Sequence, residues 1–436
     1  MRLKEQMMKT IFRILTLIFL GLGLSLVQAE SRQKKSAVTQ LNQLVKIAIN
    51  NNPELKSKKL AWQSLIQNYP QVTALSDPKL VYGESINPIQ TRLGPQDRFV
   101  SLNQKLPYPG KRALKGEVVK HNIKIAKQRY DQASRDLVVT LKQSFYELVY
   151  LENAIRLTQK NKQLINKITH IATTDYASSS SALNNIAKAQ SQYAQVNYDL
   201  QLLQELRSIA KTQINTMLNR APEYKFNINS YARKAPKFAH PLTRLYQWTE
   251  TNQELKIADL TIQKNAVKKK LSRFSSLPDF DLGVRYTQIG DSNIAGLRHS
   301  GRDGLAVTIG MNIPLNHNKN KAIKHQAYLN RQKSIEDKKA LSNSIKNKVK
   351  AVYFKITNAH RLTALYGNNL IPQANRAMQI AQIQYRENAY PKKSGSIAQY
   401  LETQSTELNF QLAYQRAVAD YWKSLAEMEK LTGKKL

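Results

Sequence analysis

Few residues in this sequence have the types and spacing that covalent or metal chemistry needs. The chain has no cysteine, which excludes thiolate metal sites and cysteine nucleophiles. The part after residue 29 contains no GxSxG elbow, no GxxxxGKS/T phosphate loop and no dinucleotide-binding fingerprint. Its seven histidines form no HExxH motif and no pair four residues apart: His121, His170, His240, His299, His317, His325 and His360. We therefore predict that the protein is not an enzyme and holds no metal or cofactor.

The charge of the chain is the second chemical feature. There are 67 Lys and Arg against 30 Asp and Glu, a formal net charge of +37. Basic clusters such as residues 264–273 could neutralise phosphates, but the basic residues are spread along the chain and no nucleic-acid module occurs. We expect no nucleic-acid binding. An exported basic protein would instead meet anionic lipid headgroups, and a positive lining of any passage would favour anionic solutes.

The first 29 residues predict a signal peptide. Basic residues from Arg2 to Arg13 precede an apolar stretch over 14–27, and Val27-Gln28-Ala29 resembles a cleavage site. An uncleaved membrane anchor is the alternative. No later stretch has 18 consecutive apolar residues, so any membrane passage of the mature chain is expected to use strands.

The remaining chain contains an internal duplication. NPELK at 52–56 recurs as NQELK at 252–256, and VSLNQKLP ending at Pro107 recurs as VTIGMNIP ending at Pro314. Further matches in the same order are AQS at 189–191 with TQS at 403–405, and MLN at 217–219 with KLT at 430–432. We predict two structural repeats, 30–240 and 241–436, each with a helix, two strands and two long helices. Asn52 and Asn252 are expected to cap the first helix of each repeat.

Alternating apolar residues predict the strands. The pattern is regular over 280–287 and 305–313, and less regular around Val100, Leu102 and Leu106, while Leu80 and Tyr82 begin a weaker fourth strand. Polar loops are expected at 87–95 and 290–302. A strand of about nine residues can cross a membrane when tilted. Half-buried hairpins of a soluble domain would show the same alternation, and the pattern leaves both interpretations open.

Seven-residue repeats of apolar residues predict coiled-coil helices. No proline interrupts residues 111–173, which predicts one very long helix, and helix turns are expected at 175–182 and 389–395. The seams include Leu141, Leu148 and Ile155; Ala189, Val196, Leu203, Ala210 and Met217; and Leu412, Ala419 and Ala426.

With these features in place, the sequence resembles the TolC-like family of outer-membrane efflux proteins over essentially all of its length after residue 29. The resemblance lies in the duplication, NNPELK at 51–56, QKLPYPGKR at 104–112 and the run from Tyr400 to Gly433. It implies a mainly α fold with a transmembrane β part. Three copies would pool four strands each into a 12-stranded outer-membrane β-barrel, continued by a periplasmic α-barrel.

The resemblance also implies function and partners. The protein would be the passive exit duct of a tripartite efflux or secretion system, located in the outer membrane and extending into the periplasm. It would form a homotrimer, contact outer-membrane lipid, and dock a periplasmic adaptor (membrane fusion protein) and an inner-membrane pump through its helix turns. The PYPGKR junction is common in the metal-exporting branch of the family, which slightly favours small-ion or general efflux.

In that family, a ring of carboxylates near the periplasmic tip narrows the pore. The resemblance places Asn185, Gln399 and Glu402 at these positions, and only Glu402 keeps an acidic side chain. The sequence therefore departs from the acidic, cation-selective constriction of that family at two of the three positions.

Four further residues near the turns are candidates for a gate or tip. Asp175 and Glu387 would supply charge from neighbouring positions, and Tyr385 and Arg386 would form bonds that hold a closed state. The alternative is that all of these side chains are solvated residues of a helix end.

A different class of function fits the same helices. A soluble periplasmic coiled-coil scaffold or adaptor would use the heptads in the same way but keep its strands in a small soluble domain. Its strands would then bury their apolar side chains within the chain.

Overall fold

The computed structural model describes residues 41–174, 181–228, 234–387 and 396–436. The predicted signal peptide lies outside the described residues, as does most of each predicted helix turn. In the described part the protein is mostly helical and contains one four-stranded antiparallel sheet. None of the helices described is long and apolar enough to cross a membrane.

The helices follow the order that the sequence predicts. Those of the first half are α1 (Leu41–Asn51), α2 (Pro53–Thr73), α3 (Lys111–Thr174) and α4 (Ser181–Met217). Those of the second half are α5 (Leu242–Trp248), α6 (Gln253–Ser272), α7 (His317–Ala364), α8 (Ile371–Glu387) and α9 (Ser396–Thr432). Short 3₁₀ turns follow α5 and α6, and a π-helical turn, Leu365–Leu370, joins α7 to α8.

The heptad predictions are confirmed where they are strongest. Helix α3 runs for 64 residues, and its bounds differ by one residue from the predicted 111–173. Leu141, Leu148 and Ile155 are no more than 4% exposed. Because buried residues repeat every seven positions, the helix keeps one face against its neighbours along this stretch.

The strands β1 (Lys79–Thr91), β2 (Gly94–Leu106), β3 (Phe280–Ile289) and β4 (Gly304–Met311) pair in chain order. The expected loop at 87–95 is wrong, because β1 continues to Thr91 and only residues 92–93 separate it from β2. The pairing register shifts between Glu84 and Ile89, which accommodates Pro88 and its missing N–H. The second loop, 290–303, lies close to the predicted range.

The described chain divides into two compact units. One comprises α1 with Thr140–Phe238 and Lys355–Ala426, and the other comprises Pro53–Val139, Ala239–Phe354 and Glu427–Leu436. Each unit therefore takes segments from both halves of the sequence. The predicted boundary at residue 240 concerns sequence repeats and stays a prediction.

One pair of hydrogen bonds recurs in the two halves. The side-chain amide of Asn52 donates to the Met217 carbonyl, and that of Asn252 donates to the Leu431 carbonyl, each over 3.0 Å. We call these two bonds the end latches. Asn252 also caps α6, as predicted, by accepting from the Glu254 N–H over 2.7 Å. The Asn252 amide also donates to the Lys430 carbonyl, over 3.4 Å, so the predicted pairing of Met217 with Lys430 agrees with the latches to within one residue.

Candidate functional site

One face of the sheet is apolar and exposed. In the pairing register Leu102, Val284 and Val307 lie side by side, and Leu305, Val307 and Ile309 are 74%, 73% and 75% exposed. We call this surface the apolar sheet face, and it consists of Leu80, Tyr82, Val100, Leu102, Leu282, Val284, Tyr286, Leu305, Val307, Ile309 and Met311. An exposed apolar surface of this extent marks a site of contact with a membrane or with another protein.

The opposite face, which we call the polar sheet face, carries small and polar side chains. Ser101 on this face is only 4% exposed. Where the strands pair regularly, the charged side chains that alternation directs to this face are Lys79, Lys105, Asp281 and Arg285, and its polar ones include Ser101, Asn103, Thr287 and Thr308. The sheet is thus two-sided, with an apolar face and a polar one.

Both loops lie at the same end of the sheet and bind each other. Ser292 Oγ donates to the Arg92 carbonyl over 2.9 Å, and the Gly290 N–H donates to the Pro95 carbonyl over 2.8 Å. Asp303 accepts from the Ile289 N–H over 3.0 Å and from the Tyr286 hydroxyl. Polar groups are therefore concentrated where the apolar sheet face ends.

At the other end of the sheet, the PYPGKR segment joins β2 to α3. Lys111 forms an ion pair with Asp279, Nζ to Oδ2 2.7 Å, and the Tyr108 N–H donates to Asp279 Oδ1 over 2.9 Å. The Tyr108 ring lies 5.9 Å from that of Phe274, centroid to centroid. Gly110 turns the chain at a φ of +87°, which residues with a Cβ rarely adopt. These contacts fix the direction in which α3 leaves the sheet.

Asp279 is a site residue that the sequence did not reveal. Burial alone would raise its pKa, but the hydrogen bonds from Lys111 and the Tyr108 backbone outweigh burial and hold the pKa below its ordinary value. Asp279 and Lys111 are 168 positions apart, and no local spacing connects them. The one available signal was the Pro278-Asp279 pair directly before a regular strand.

Near the helix turns, four helices meet in a small core that we call the helix-end cluster. Its buried members are Ile165 and Ile168 of α3, Ala189 and Val196 of α4, Ala381 of α8, and Tyr400 and Leu401 of α9. The Gln192 amide donates to the Leu401 carbonyl over 3.4 Å, which adds a polar contact between α4 and α9. The cluster holds the ends of the long helices side by side.

Two of the predicted tip residues lie on the exposed side of α9. Gln399 and Glu402 are exposed, whereas Tyr400 and Leu401 between them are 8% and 3% exposed. Gln399 and Glu402 are three positions apart and therefore share one helix face. The structure thus brings these two side chains together on a surface that solutes can reach.

The other predicted tip residues are only partly described. Asp175 lies outside the described residues. Asn185 belongs to α4, and Tyr385, Arg386 and Glu387 form the end of α8, where the structure describes the backbone alone. Their roles at a gate or tip stay predictions.

A charged network between α3 and α9 was also missed by sequence reasoning. Arg416 and Lys423 each bind Glu147, with nitrogen–oxygen distances of 2.8 and 2.7 Å, and Arg416 lies 3.9 Å from the Tyr150 ring centroid. Burial raises the pKa of Glu147, but the hydrogen bonds from these two cations lower it further than burial raises it. The network joins residues 269 positions apart.

No group of three His, Asp or Glu side chains in the described ranges is arranged to hold a metal ion. The candidate sites described above are two surfaces, the sheet with its opposite faces and the helix-end cluster with the exposed pair Gln399 and Glu402.

The fold is similar to those of solved outer-membrane proteins. The outer membrane protein VceC from Vibrio cholerae is 14% identical, with a TM-score of 0.71, over 91% of this chain and 96% of VceC. The CmeC outer membrane channel from Campylobacter jejuni is 15% identical, with a TM-score of 0.71, over 90% and 85%. The MtrE outer membrane channel from Neisseria gonorrhoeae is 16% identical, with a TM-score of 0.68, over 91% and 89%.

No protein-family model and no curated protein matches the sequence. At these identities the comparison shows the fold alone. The chain has the fold of these outer-membrane channel proteins, long helices combined with a small antiparallel sheet, and the predicted fold class is confirmed at this level.

Proposed function

We propose that this chain is the outer-membrane exit duct of a tripartite efflux or secretion system. The observation that carries the proposal is the apolar sheet face, whose side chains point away from the rest of the chain and are largely exposed. Exposing such a surface to water costs free energy, whereas contact with lipid does not. The alternative of a soluble scaffold would require this face to be covered within the chain.

The strand count supports a homotrimer. A sheet of four strands leaves two open edges and cannot close into a barrel, and unpaired backbone groups are costly in lipid. Three copies in one ring would supply the 12 strands that the resemblance implies. In such a barrel the apolar sheet face meets lipid and the polar sheet face lines the passage.

The partners follow from the helical end of the chain. In the proposed assembly the helix turns extend into the periplasm and dock an adaptor and an inner-membrane pump, which supplies the energy for transport. The exposed pair Gln399 and Glu402 lies next to the helix-end cluster and is available to solutes or to a partner. The duct itself is passive.

The cargo is proposed as general, without a commitment to metal ions. The PYPGKR segment suggested the metal-exporting branch, but its described contacts are architectural, since Lys111 and Tyr108 hold Asp279 at the start of β3. A motif that fixes the strand-to-helix junction is useful for any cargo.

The decisive experiment combines the mass of the purified protein in detergent with its conductance in a planar lipid bilayer. A trimer with discrete ion-conducting steps is expected. A monomer that stays in solution without detergent and gives no conductance would overturn the proposal in favour of the scaffold. Fractionation gives an independent check, because a duct stays in the outer membrane after a high-salt wash that releases proteins held by charge alone.

A further inference from the structure

The polar sheet face has an unbalanced charge. Where the strands pair regularly, it carries Lys79, Lys105 and Arg285 against one acid, Asp281, and Asp97 lies beyond this part at the register shift of β2. Lys105 and Asp281 lie directly opposite each other on β2 and β3, so their charges offset one another locally. Lys79 and Arg285 take part in none of the ion pairs within the described ranges. Each chain therefore presents two uncompensated cations on this face.

Arg285 is held in place by an aromatic ring. Its guanidinium carbon lies 4.5 Å from the ring centroid of Phe99, within the range of a cation–π interaction. Phe99 pairs with Gly83 of β1, and the ring fills the space that a side chain there would occupy, because a Cβ on Gly83 would lie 2.3 Å from Phe99 Cε1. The absence of a side chain at Gly83 lets the ring lie across β1 and support the cation.

We infer that the passage through the sheet favours anionic solutes and that Arg285 is the residue that sets this preference. This inference rests on the proposed duct, in which the polar sheet face lines the passage. Symmetry then repeats Arg285 and Lys79 in every copy, so that each forms a ring of cations around the passage. Low-dielectric walls focus the field of such rings and raise the local concentration of anions.

This inference separates two classes of cargo. Organic anions, and metal ions carried as anionic complexes, are favoured by the cationic rings. Bare divalent metal cations are repelled by the same rings, so the inference opposes the metal-exporting branch that the PYPGKR segment suggested.

The test is the reversal potential of the full-length protein in planar bilayers of zwitterionic lipid, with a KCl gradient. Chloride is expected to permeate on the order of two- to fivefold better than potassium near 0.1 M salt. The ratio should rise near 0.01 M, because the Debye length grows from about 10 to about 30 Å. Arg285→Gln should lower the ratio at least about twofold, and Arg285→Lys, which keeps the charge, should preserve it.

Arg98→Gln is the matched control. Arg98 is an exposed arginine of the same sheet, and it pairs with Glu84 and Gln288. It lies two positions before Val100 on β2, so its side chain belongs to the face opposite the polar sheet face. Its loss removes the same charge and should leave the ratio unchanged. If Arg285→Gln does not assemble, Lys79→Gln at the exposed start of β1 tests the other ring and should lower the ratio in the same direction.

The outcomes distinguish the inference from the function on which it rests. A conducting wild-type protein that prefers potassium, or an equal loss of selectivity in Arg98→Gln and Arg285→Gln, overturns the inference and leaves the duct intact. A wild-type protein without conductance overturns the proposed function itself.

Discussion

The helix-end cluster buries its apolar side chains, whereas the sheet exposes many of its own. In the helix-end cluster, Ile165, Ala189 and Leu401 are no more than 3% exposed and the neighbouring Glu402 is on the surface. In the sheet, Val307 and Ile309 are more than 70% exposed, while Ser101 on the polar sheet face is buried. The same chain thus buries apolar side chains in one region and exposes them in another.

Under the proposed function this difference has one cause, because the medium around each region sets where its apolar side chains are stable. Water around a helix bundle drives apolar side chains together, and in the proposed assembly lipid around the sheet removes the cost of exposing them. A polar substitution on an outward surface should therefore be harmless in the bundle and harmful in the sheet. The following predictions test that contrast, beginning with the largest effect.

Leu401→Pro changes a buried residue of the helix-end cluster. Proline removes a helix hydrogen bond and clashes with the preceding turn, at a cost of about 3 kcal/mol or more, and the change also deletes a leucine from the helix-end cluster. We expect loss of trimer in detergent and loss of adaptor docking. The measurements are trimer yield and export in cells.

Leu401→Met is the control for that change, since a swap of similar volume costs less than about 1.5 kcal/mol. It should assemble normally. Unchanged export by the proline variant would remove the helix-end cluster from the docking region.

Val307→Asp attacks the outward side of the sheet. A carboxylate on the apolar sheet face should cost about 2–3 kcal/mol, because it would face lipid. We expect reduced insertion into the outer membrane, measured as heat-stable trimer in membrane fractions.

Thr308→Asp is the control at the neighbouring position, and it tests the assignment of the two sheet faces directly. Thr308 follows Val307 on β4 and points to the polar sheet face. It should insert far better than Val307→Asp. Equal insertion of the two variants would contradict the assignment of the faces.

Glu147→Gln tests the rule for polar groups close to the bundle core, which must be paired. Removing the charge that binds Arg416 and Lys423 should cost about 1–2 kcal/mol. Asp337→Asn is the matched control, because its pair with Lys333 joins side chains that are 60% and 71% exposed. Its cost should stay within about 0.5 kcal/mol. Thermal unfolding in detergent measures both.

The same network predicts a pH dependence. Because the folded state lowers the pKa of Glu147, its stabilisation is complete above the ordinary glutamate pKa of about 4.3 and is lost as the pH falls through the lowered value. The stability difference between wild type and Glu147→Gln should therefore shrink on acidification. A difference that stays constant down to strongly acidic pH would argue against the ion pairs as its source.

Glu402→Gln should have the smallest effect on stability, within about 0.5 kcal/mol, because its side chain is exposed. If Glu402 borders the narrow end of the duct, cation conductance should fall by up to about twofold. Single-channel recording measures this. An unchanged conductance would take Glu402 out of the candidate gate.

The sequence predicted the elements whose signals are local. The absence of proline over 111–173 placed α3 to within one residue, and the alternation over 280–287 and 305–313 placed β3 and β4 to within two residues. Strand β1 was only half predicted, because Gly83 and Pro88 break its alternation and its pairing with β2 supplies what its own residues do not.

The candidate site was less predictable, since its contacts join distant positions. Nothing in the spacing of residues connects Lys111 to Asp279, or Glu147 to Arg416. Phe99, Gly83 and Arg285 come together on the polar sheet face only through the pairing register of β1, β2 and β3, which their spacing in the sequence does not show. Charge and burial at these places depend on neighbours that only the fold supplies.

The end latches have a consequence for the entropy of the chain. The first latch joins Asn52 to Met217, which are 165 positions apart, and the second joins Asn252 to Leu431, which are 179 positions apart. Because the entropic cost of closing a loop grows only with the logarithm of its length, the two closures cost nearly the same free energy. Loop closure therefore favours neither half of the chain over the other.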